Sequence, residues 1–309
     1  MDVVRIATRG SALAVAQAGL VARAVERALD LRAELVRVRT EGDRRQATSL
    51  AKIGGKGLFV KEVEATILEG RADMAVHSAK DLPAALAPGL ALAAFPARGD
   101  ARDALVGRLP QTSVDALRRG ARVGTGSFRR GAQLLRRRPD LEIVPLRGNV
   151  ETRLRKLESG DLDAVVLACA GLDRLGLAGR ICERVAPEVL LPAVGQGTLA
   201  VQTRADGPLA ASLCAVDDAA TRACTLAERA FQAGLGGDCD VPLAAHAVFS
   251  GDGGELALVA ALWSLDGTRE IRVERRGRDP ETLGRDAARD VRERGGDALL
   301  GSLRTGSRR

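Results

Sequence analysis

The strongest constraint on this chain is that its N-terminal part says the same thing twice. Arg5-Ile6-Ala7-Thr8, with Ser11 behind it, is matched by Arg122-Val123-Gly124-Thr125 with Ser127. Gly70-Arg71-Ala72-Asp73-Met74-Ala75-Val76 is matched by Gly160-Asp161-Leu162-Asp163-Ala164-Val165-Val166. Each copy reads as strand, Gly/Ser turn, helix, strand, loop, helix, strand. That order predicts two α/β units, each built on a parallel sheet. In the first copy Ala12 to Leu29 reads as a helix with Leu13, Gln17, Leu20, Val21, Ala24, Val25 and Ala28 on its inner face, and Ser11 stands at the N-cap position.

The copies are unequal in length. Part of the excess in the first lies in a longer first helix, and most of the rest falls around Gly42 to Gly57, through Asp43-Arg44-Arg45, Lys52, Gly54-Gly55, Lys56 and Gly57. A Gly- and Lys-rich excursion without periodicity reads either as a mobile lid that brings cations over a ligand or as a plain surface loop.

Two short segments, 97–102 and 191–197, are the expected connections between the units. The strand-like Leu199-Ala200-Val201-Gln202-Thr203 that follows the second is expected to return to the first sheet. The predicted domains are 1–97 plus 198–216, then 102–191, then 217–309. The last reads as a helix, a Gly-Gly turn, and strands over Leu243–Val248, Leu256–Leu265 and Thr268–Glu274 joined at Asp252-Gly253-Gly254 and Asp266-Gly267. Asp279-Pro280-Glu281 then opens a closing helix. The architecture is therefore α/β with two duplicated units and a cleft between them, plus a small α+β domain with a three-stranded antiparallel sheet.

Composition narrows the function. Aromatic residues make up 2% of the 309 positions, so the cores are aliphatic and the stacking side chains of single-strand nucleic-acid binders are nearly absent. The formal charge of +7 comes from 47 basic and 40 acidic residues that are interspersed, which reads as a mild preference for anions rather than for nucleic acid. Five cysteines with no Cys-x-x-Cys spacing and two histidines fit neither a disulfide framework nor a metal centre. Cys169, Cys182, Cys214 and Cys224 sit in apolar or helical stretches and read as packing residues, and His246 lies in a strand without a visible partner. With no signal-peptide pattern and no apolar run of the ~18 residues a membrane helix needs, the expectation is a cytoplasmic protein with no membrane partner.

The chemistry concentrates at strand ends. His77-Ser78-Ala79-Lys80-Asp81-Leu82-Pro83 follows an apolar run and delivers an ammonium and a carboxylate to the edge where open α/β sheets hold ligands. Arginine recurs among small turn residues: Thr8-Arg9-Gly10-Ser11, Thr125-Gly126-Ser127-Phe128-Arg129-Arg130 and Leu146-Arg147-Gly148-Asn149, with Arg153 and Arg174 close to further strands. Helix N-termini and guanidinium forks together suit carboxylates and phosphates. One acid among many fixed cations points to chemistry on a small, multiply anionic substrate. His77 reads as a structural histidine. In Gly236-Gly237-Asp238-Cys239-Asp240 the flanking acids disfavour a thiolate, so the residues alone leave Cys239 ambiguous.

Taken in order, these motifs, together with Lys52-Ile53-Gly54-Gly55-Lys56-Gly57-Leu58-Phe59, Ala170-Gly171-Leu172-Asp173-Arg174-Leu175 and Leu191–Gly197, resemble the porphobilinogen deaminase (hydroxymethylbilane synthase) family over essentially the whole chain. The resemblance implies a transferase of tetrapyrrole and heme biosynthesis that joins four porphobilinogen molecules head to tail, releasing ammonia, and whose first two domains are similar to periplasmic binding proteins. It implies growth on a covalent dipyrromethane cofactor held by Cys239 as a thioether, Asp81 as the catalytic carboxylate, and no metal. Lys56, Ser78, Lys80, Thr125, Ser127, Arg129, Arg130 and Gly148 match positions that hold the cofactor. Arg9, Ser11, Phe59, Arg147, Arg153, Arg174 and Gln196 match positions that hold substrate. A monomer is implied. The chain departs from the family pattern at Gly126, Gly234 and Asp238. A bilobal protein that merely captures an organic anion is the competing reading, and it leaves Asp81 and Cys239 without roles.

Overall fold

The computed structural model describes residues 2–39, 60–236, 241–251 and 254–306. The duplicated segments form two five-stranded sheets of like design. The first has the order β2-β1-β3-β10-β4, from β1 (Val3–Arg9), β2 (Arg32–Val38), β3 (Met74–Ser78), β4 (Leu90–Ala94) and β10 (Leu199–Arg204). The second has the order β7-β6-β8-β5-β9, from β5 (Asp103–Gly107), β6 (Arg122–Thr125), β7 (Glu142–Pro145), β8 (Ala164–Ala168) and β9 (Glu183–Val185). The expected return of Leu199–Thr203 to the first sheet is seen, with Val201 opposite Val76.

The sheets are mixed, which corrects the expectation of purely parallel ones. β1 runs parallel to β2 and β3, and β6 parallel to β7 and β8. β10 lies antiparallel to β3, and β5 antiparallel to β8. Both reversed strands are the first after a crossing from the other unit. Each arrives from outside the βαβ series, so no right-handed crossover helix dictates its direction.

Helix α1 (Ala12–Leu29) is capped by Ser11, whose hydroxyl accepts from the Ala14 N–H at 3.3 Å. Its buried face is Gln17, Ala18, Val21, Ala22 and Val25, rotated from the expected one so that Leu20 and Ala28 are exposed. The other helices on the sheets are α2 (Lys61–Leu68), α3 (Phe128–Arg137), α4 (Val150–Glu158) and α5 (Cys169–Arg174), with a short α6 (Leu209–Ser212) beyond β10. Ser127 caps α3 and Asn149 caps α4. Among the described residues no helix is long and apolar enough to cross a membrane.

The C-terminal part packs α7 (Ala219–Gly234) and α8 (Pro280–Val291), followed by α9 (Asp297–Gly306), on an antiparallel sheet of β11 (Leu243–Ser250), β12 (Glu255–Trp263) and β13 (Glu270–Gly277). Asp279 caps α8, with Pro280 at its start. An aliphatic core of Ala245, Ala247, Leu258, Ala260 and Val273 meets Ala227, Phe231, Ala287 and Val291 from the helices. The two helices approach closely because Gly284 lacks a Cβ, which would stand 2.2 Å from the Ala227 carbonyl oxygen. Gly234 belongs to the same contact, since a Cβ there would lie 2.5 Å from that of Ala288. That contact gives the departure at Gly234 a physical reason. Cys169 and Cys224 are buried as expected, whereas Cys214 is exposed and does not pack.

Candidate functional site

β3 ends at Ser78, and Ala79–Asp81 forms a single 3₁₀ turn closed by the Leu82 N–H donating to the Ala79 carbonyl. Leu82 is buried and anchors the turn, leaving Lys80 and Asp81 partly exposed at the carboxyl edge of the parallel strands. The Ser78 hydroxyl accepts from Gln17 Nε2 at 2.8 Å, which ties the turn to α1. His77 is buried against Gln202 at 2.9 Å, and burial pulls it down to about 4, so it is a neutral structural residue as expected.

On the second sheet, Thr125 ends β6 and its hydroxyl accepts from the Ser127 N–H at 3.2 Å. Gly126 fits here because a Cβ would lie 2.6 Å from the Leu146 carbonyl oxygen, which accounts for that departure. Arg129 and Arg130 occupy the first turn of α3 and are both buried on Asp103. Arg129 Nη1 donates to Asp103 Oδ2 at 2.7 Å, and Arg130 Nη2 donates to Asp103 Oδ1 at 2.7 Å. Burial alone would raise the Asp103 carboxyl, yet the two guanidinium groups hold it well below the ordinary carboxylate range. Gly148, at φ 105°, lets the chain turn so that its carbonyl accepts from Arg153 Nε at 2.8 Å. Arg147 is half-buried one residue before.

The crossings complete the arrangement. Gln196 is 1% exposed; its Oε1 accepts from Lys80 Nζ at 3.4 Å, and its Nε2 donates to the Ala101 carbonyl at 2.7 Å and to Asp103 Oδ1 at 3.0 Å. Arg174 Nη2 donates to the Gly197 carbonyl at 2.5 Å, so this residue braces a crossing. Arg9 closes β1, two residues before the Ser11 cap.

Two cations betray the character of the space between the sheets. Burial, then Arg130, pushes Lys80 down to about 7 against the pull of Asp81 and Asp103. Burial, then Arg130, pushes Arg153 down to about 10 against Asp81. Asp81 of the first sheet and Arg130 and Arg153 of the second therefore act on common ground. Burial is the largest cause of both shifts, and an incoming carboxylate would favour the charged form of each cation.

Residues 4–211 match the description "Porphobilinogen deaminase, dipyromethane cofactor binding domain", and residues 222–293 match its C-terminal domain. The chain belongs to the porphobilinogen deaminase family. A porphobilinogen deaminase of Sorangium cellulosum is 51% identical over 296 residues, covering 93% of this chain and 98% of that one. One from Roseiflexus castenholzii is 48% identical, covering 96% and 97%. Among solved structures, a double mutant of the Bordetella pertussis BvgS VFT2 domain aligns with a TM-score of 0.44 at 21% identity, covering 70% of this chain and 86% of that one. The activity is that of a porphobilinogen deaminase, a hydroxymethylbilane synthase acting on porphobilinogen with a dipyrromethane cofactor. The cations between the sheets suit that cofactor, whose pyrrole rings carry acetate and propionate arms.

Cys239, Lys56 and Phe59, and with them Asp238 and the Gly42–Gly57 excursion, lie outside the described residues. Of the rest, Asp81, Lys80, Arg130 and Arg153 share one electrostatic neighbourhood, which Gln196 joins through its bond from Lys80. Arg129 lies behind Asp103, and Arg174 is engaged with a crossing.

Several residues escaped the sequence reading. Asp103 is an acid opening an apolar strand, a signal that was available. Glu228 is an acid on the apolar face of α7 between Cys224 and Phe231, and it accepts from Arg98 and from the Gly195 and Ala247 N–H groups. His246, expected to lack a partner, has Nδ1 3.6 Å from Glu228 Oε1. Arg229 Nη2 donates to the Pro83 and Ala84 carbonyls, just past Asp81, at 3.0 Å each.

Proposed function

We propose that Asp81 carries the proton transfers of porphobilinogen polymerisation, working on pyrroles whose carboxylate arms are held by the cations around it. The observation that supports this most is the placement of Asp81 on the turn that closes β3 at the carboxyl edge of the sheet, beside Lys80, whose ammonium donates to Gln196 of the second crossing. An ionised carboxylate there can accept a pyrrole N–H, favour positive charge developing on the ring, and hold the proton given up when rings are joined. Loss of ammonia needs a proton at the substrate's aminomethyl nitrogen, and Asp81 is the acid that returns it.

When bound, the dipyrromethane supplies the pyrrole terminus to which porphobilinogen units are added, four in all, head to tail. Cys239 is its point of attachment through a thioether. Ser78, Lys80, Thr125, Ser127, Arg129, Arg130, Gly148 and Lys56 belong to its cradle; Arg129 contributes from behind, by fixing Asp103. Arg9, Ser11, Phe59, Arg147, Arg153, Arg174 and Gln196 serve the substrate end, with Arg174 acting through the crossing it braces. Each charge-assisted hydrogen bond to a carboxylate is worth about 1.5–3 kcal/mol, so a few of them suffice to retain an intermediate between additions. The working unit is a cytoplasmic monomer whose domains are 1–97 plus 198–216, 102–191, and 217–309.

The test combines mass and turnover. The purified protein should weigh more than its sequence by one dipyrrole, carried on the Cys239 peptide. Asp81→Asn should keep that added mass and lose about 100- to 10,000-fold in turnover. Wild-type turnover in this variant would defeat the proposal.

A further inference from the structure

We propose that Asp103 is a positioning residue for this reaction: fully inside the protein beneath the cleft, it fixes the guanidinium of Arg130 and, through the Gln196 amide, the ammonium of Lys80. The inference rests on the functional reading above and extends it to a residue that cannot touch substrate, since the Asp103 side chain has no exposed surface.

Its placement is rigid. Asp103 opens β5 directly after the first crossing and is paired on both sides, with Ala168 of β8 and Val185 of β9. A carboxylate offers about four lone-pair positions, and here they are crowded. Oδ1 accepts from Arg129 Nη2 at 3.2 Å, Arg130 Nε at 2.9 Å, Arg130 Nη2 at 2.7 Å and Gln196 Nε2 at 3.0 Å, while Oδ2 accepts from Arg129 Nη1 at 2.7 Å.

The two arginines are thereby sorted. Arg129 also donates to the Leu191 carbonyl at 2.7 Å and serves as a wall. Arg130 donates to the Val166 carbonyl at 3.0 Å; both arginines face Lys80, but Arg130 also acts on Arg153, so it is the one nearer the cleft. The Gln196 amide has one orientation, because its Nε2 meets two acceptors, the Ala101 carbonyl and Asp103. Its Oε1 is thus turned to Lys80, and the hydrogen bonds run from Lys80 through Gln196 to Asp103. This path leads from the first sheet through the second crossing to the second sheet.

The charges facing Lys80 are Asp81 on its own turn, and Asp103, Arg129 and Arg130 from the second unit. The acids favour the ammonium, while burial and the arginines oppose it. Removing the negative charge at 103 therefore leaves Lys80 neutral at a lower pH and frees Arg130 to turn.

The test uses the cofactor-bearing enzyme and the variants Asp103→Asn, Asp103→Glu and Gln196→Met. The reactivity of Lys80 toward an amine-acylating reagent, followed against pH by peptide mass spectrometry, reports its protonation without reference to activity. In Asp103→Asn the midpoint should move to lower pH, and KM for porphobilinogen should rise about tenfold, as expected for one weakened charge-assisted contact. The alkaline limb of kcat/KM should move with the midpoint, and Asp103→Glu should recover part of each change. Gln196→Met leaves the Asp103–arginine pairs in place, so it serves if Asp103→Asn does not fold, and it should raise KM in the same way. A variant that melts earlier but keeps the wild-type Lys80 midpoint and KM would make Asp103 purely structural and overturn the proposal. Asp81→Asn separates the two readings. If it is active, the functional reading fails. If it is inactive while the Lys80 midpoint is unmoved in the variants, the role of Asp103 alone fails.

Discussion

The Glu228 carboxylate, with no exposed side-chain surface, holds the Arg98 guanidinium through hydrogen bonds of 2.7 and 3.2 Å. Arg98 lies on the first crossing, and the same carboxylate accepts from the Gly195 N–H of the second at 2.7 Å. One acid of the C-terminal part thus clasps both connections between the sheets. Burial by itself would raise Glu228, but Arg98 and then His246 draw it down to about 2. A folded-state pKa below the unfolded one stabilises the protein above the usual carboxylate range, and this contribution is lost as pH falls from about 4.5 toward 2. Glu228→Gln, which takes the charged partner from the largely buried Arg98 guanidinium, should cost about 3 kcal/mol at neutral pH. Denaturant titrations should show the gap to wild type narrowing below pH 4.5, and a gap that is constant with pH would refute the assignment.

His77 acts in the same direction over a higher pH range. Its folded pKa of about 4 lies below the ordinary 6.5, so between those values the unfolded chain binds a proton that the folded one refuses. Stability should therefore fall as pH drops from 6.5 toward 4. His77→Gln should remove that slope and leave kcat within a few-fold, because the ring is buried and its Nε2 is engaged with Gln202. A large kcat loss in a stable His77→Gln protein would assign the ring to the chemistry instead.

Arg229 links α7 to the segment after Asp81 through the Pro83 and Ala84 carbonyls, and its Nη1 is buried without a hydrogen bond. Arg229→Met should lower kcat about tenfold while KM changes little, since the turn that aims Asp81 loses its outer brace. Arg229→Lys, which can still donate to both carbonyls, should recover much of that loss. Equal kcat in all three proteins would leave the contact with no part in aiming Asp81.

Much of this was legible in the sequence, and the part that was not shares one cause. The repeated Arg-x-x-Thr pattern with a serine close behind it and the repeated Gly-x-x-Asp pattern disclosed both sheets, and Ser11 and Asp279 disclosed helix starts, because these signals are local. The parallel reading of the repeats did not extend to the reversed strands β5 and β10, where the chain enters from the other unit and no local rule applies. The same holds in the site. Lys80 and Asp81 announced themselves at a strand end, whereas Asp103 and Glu228 act through partners far along the chain, Arg130 and Arg98, and a pairwise contact leaves no periodicity. The α1 face was misplaced by less than a turn because its apolar residues nearly encircle it, so the hydroxyl–amide contact between Ser78 and Gln17 decides which side is inward.

The crossings themselves are joined by glycine. Gly197 has φ +87°, its carbonyl accepts from the Gly99 N–H at 3.1 Å and from Arg174, and a Cβ on it would stand 2.5 Å from the Gly99 carbonyl oxygen. A side chain would have to adopt a left-handed backbone and push one crossing off the other, and the first of these alone costs on the order of 1–3 kcal/mol. Gly197→Ala should therefore lose at least ~2 kcal/mol of stability and also lower turnover, because Gln196 is moved with it and its hydrogen bond from Lys80 is disturbed. Gly179→Ala is the control: Gly179 is exposed with nothing within 4 Å of its would-be Cβ, so a change within about 0.5 kcal/mol is expected. If Gly197→Ala melts with the control and turns over normally, the crossings tolerate separation, and their close contact is not what holds Gln196 against Lys80.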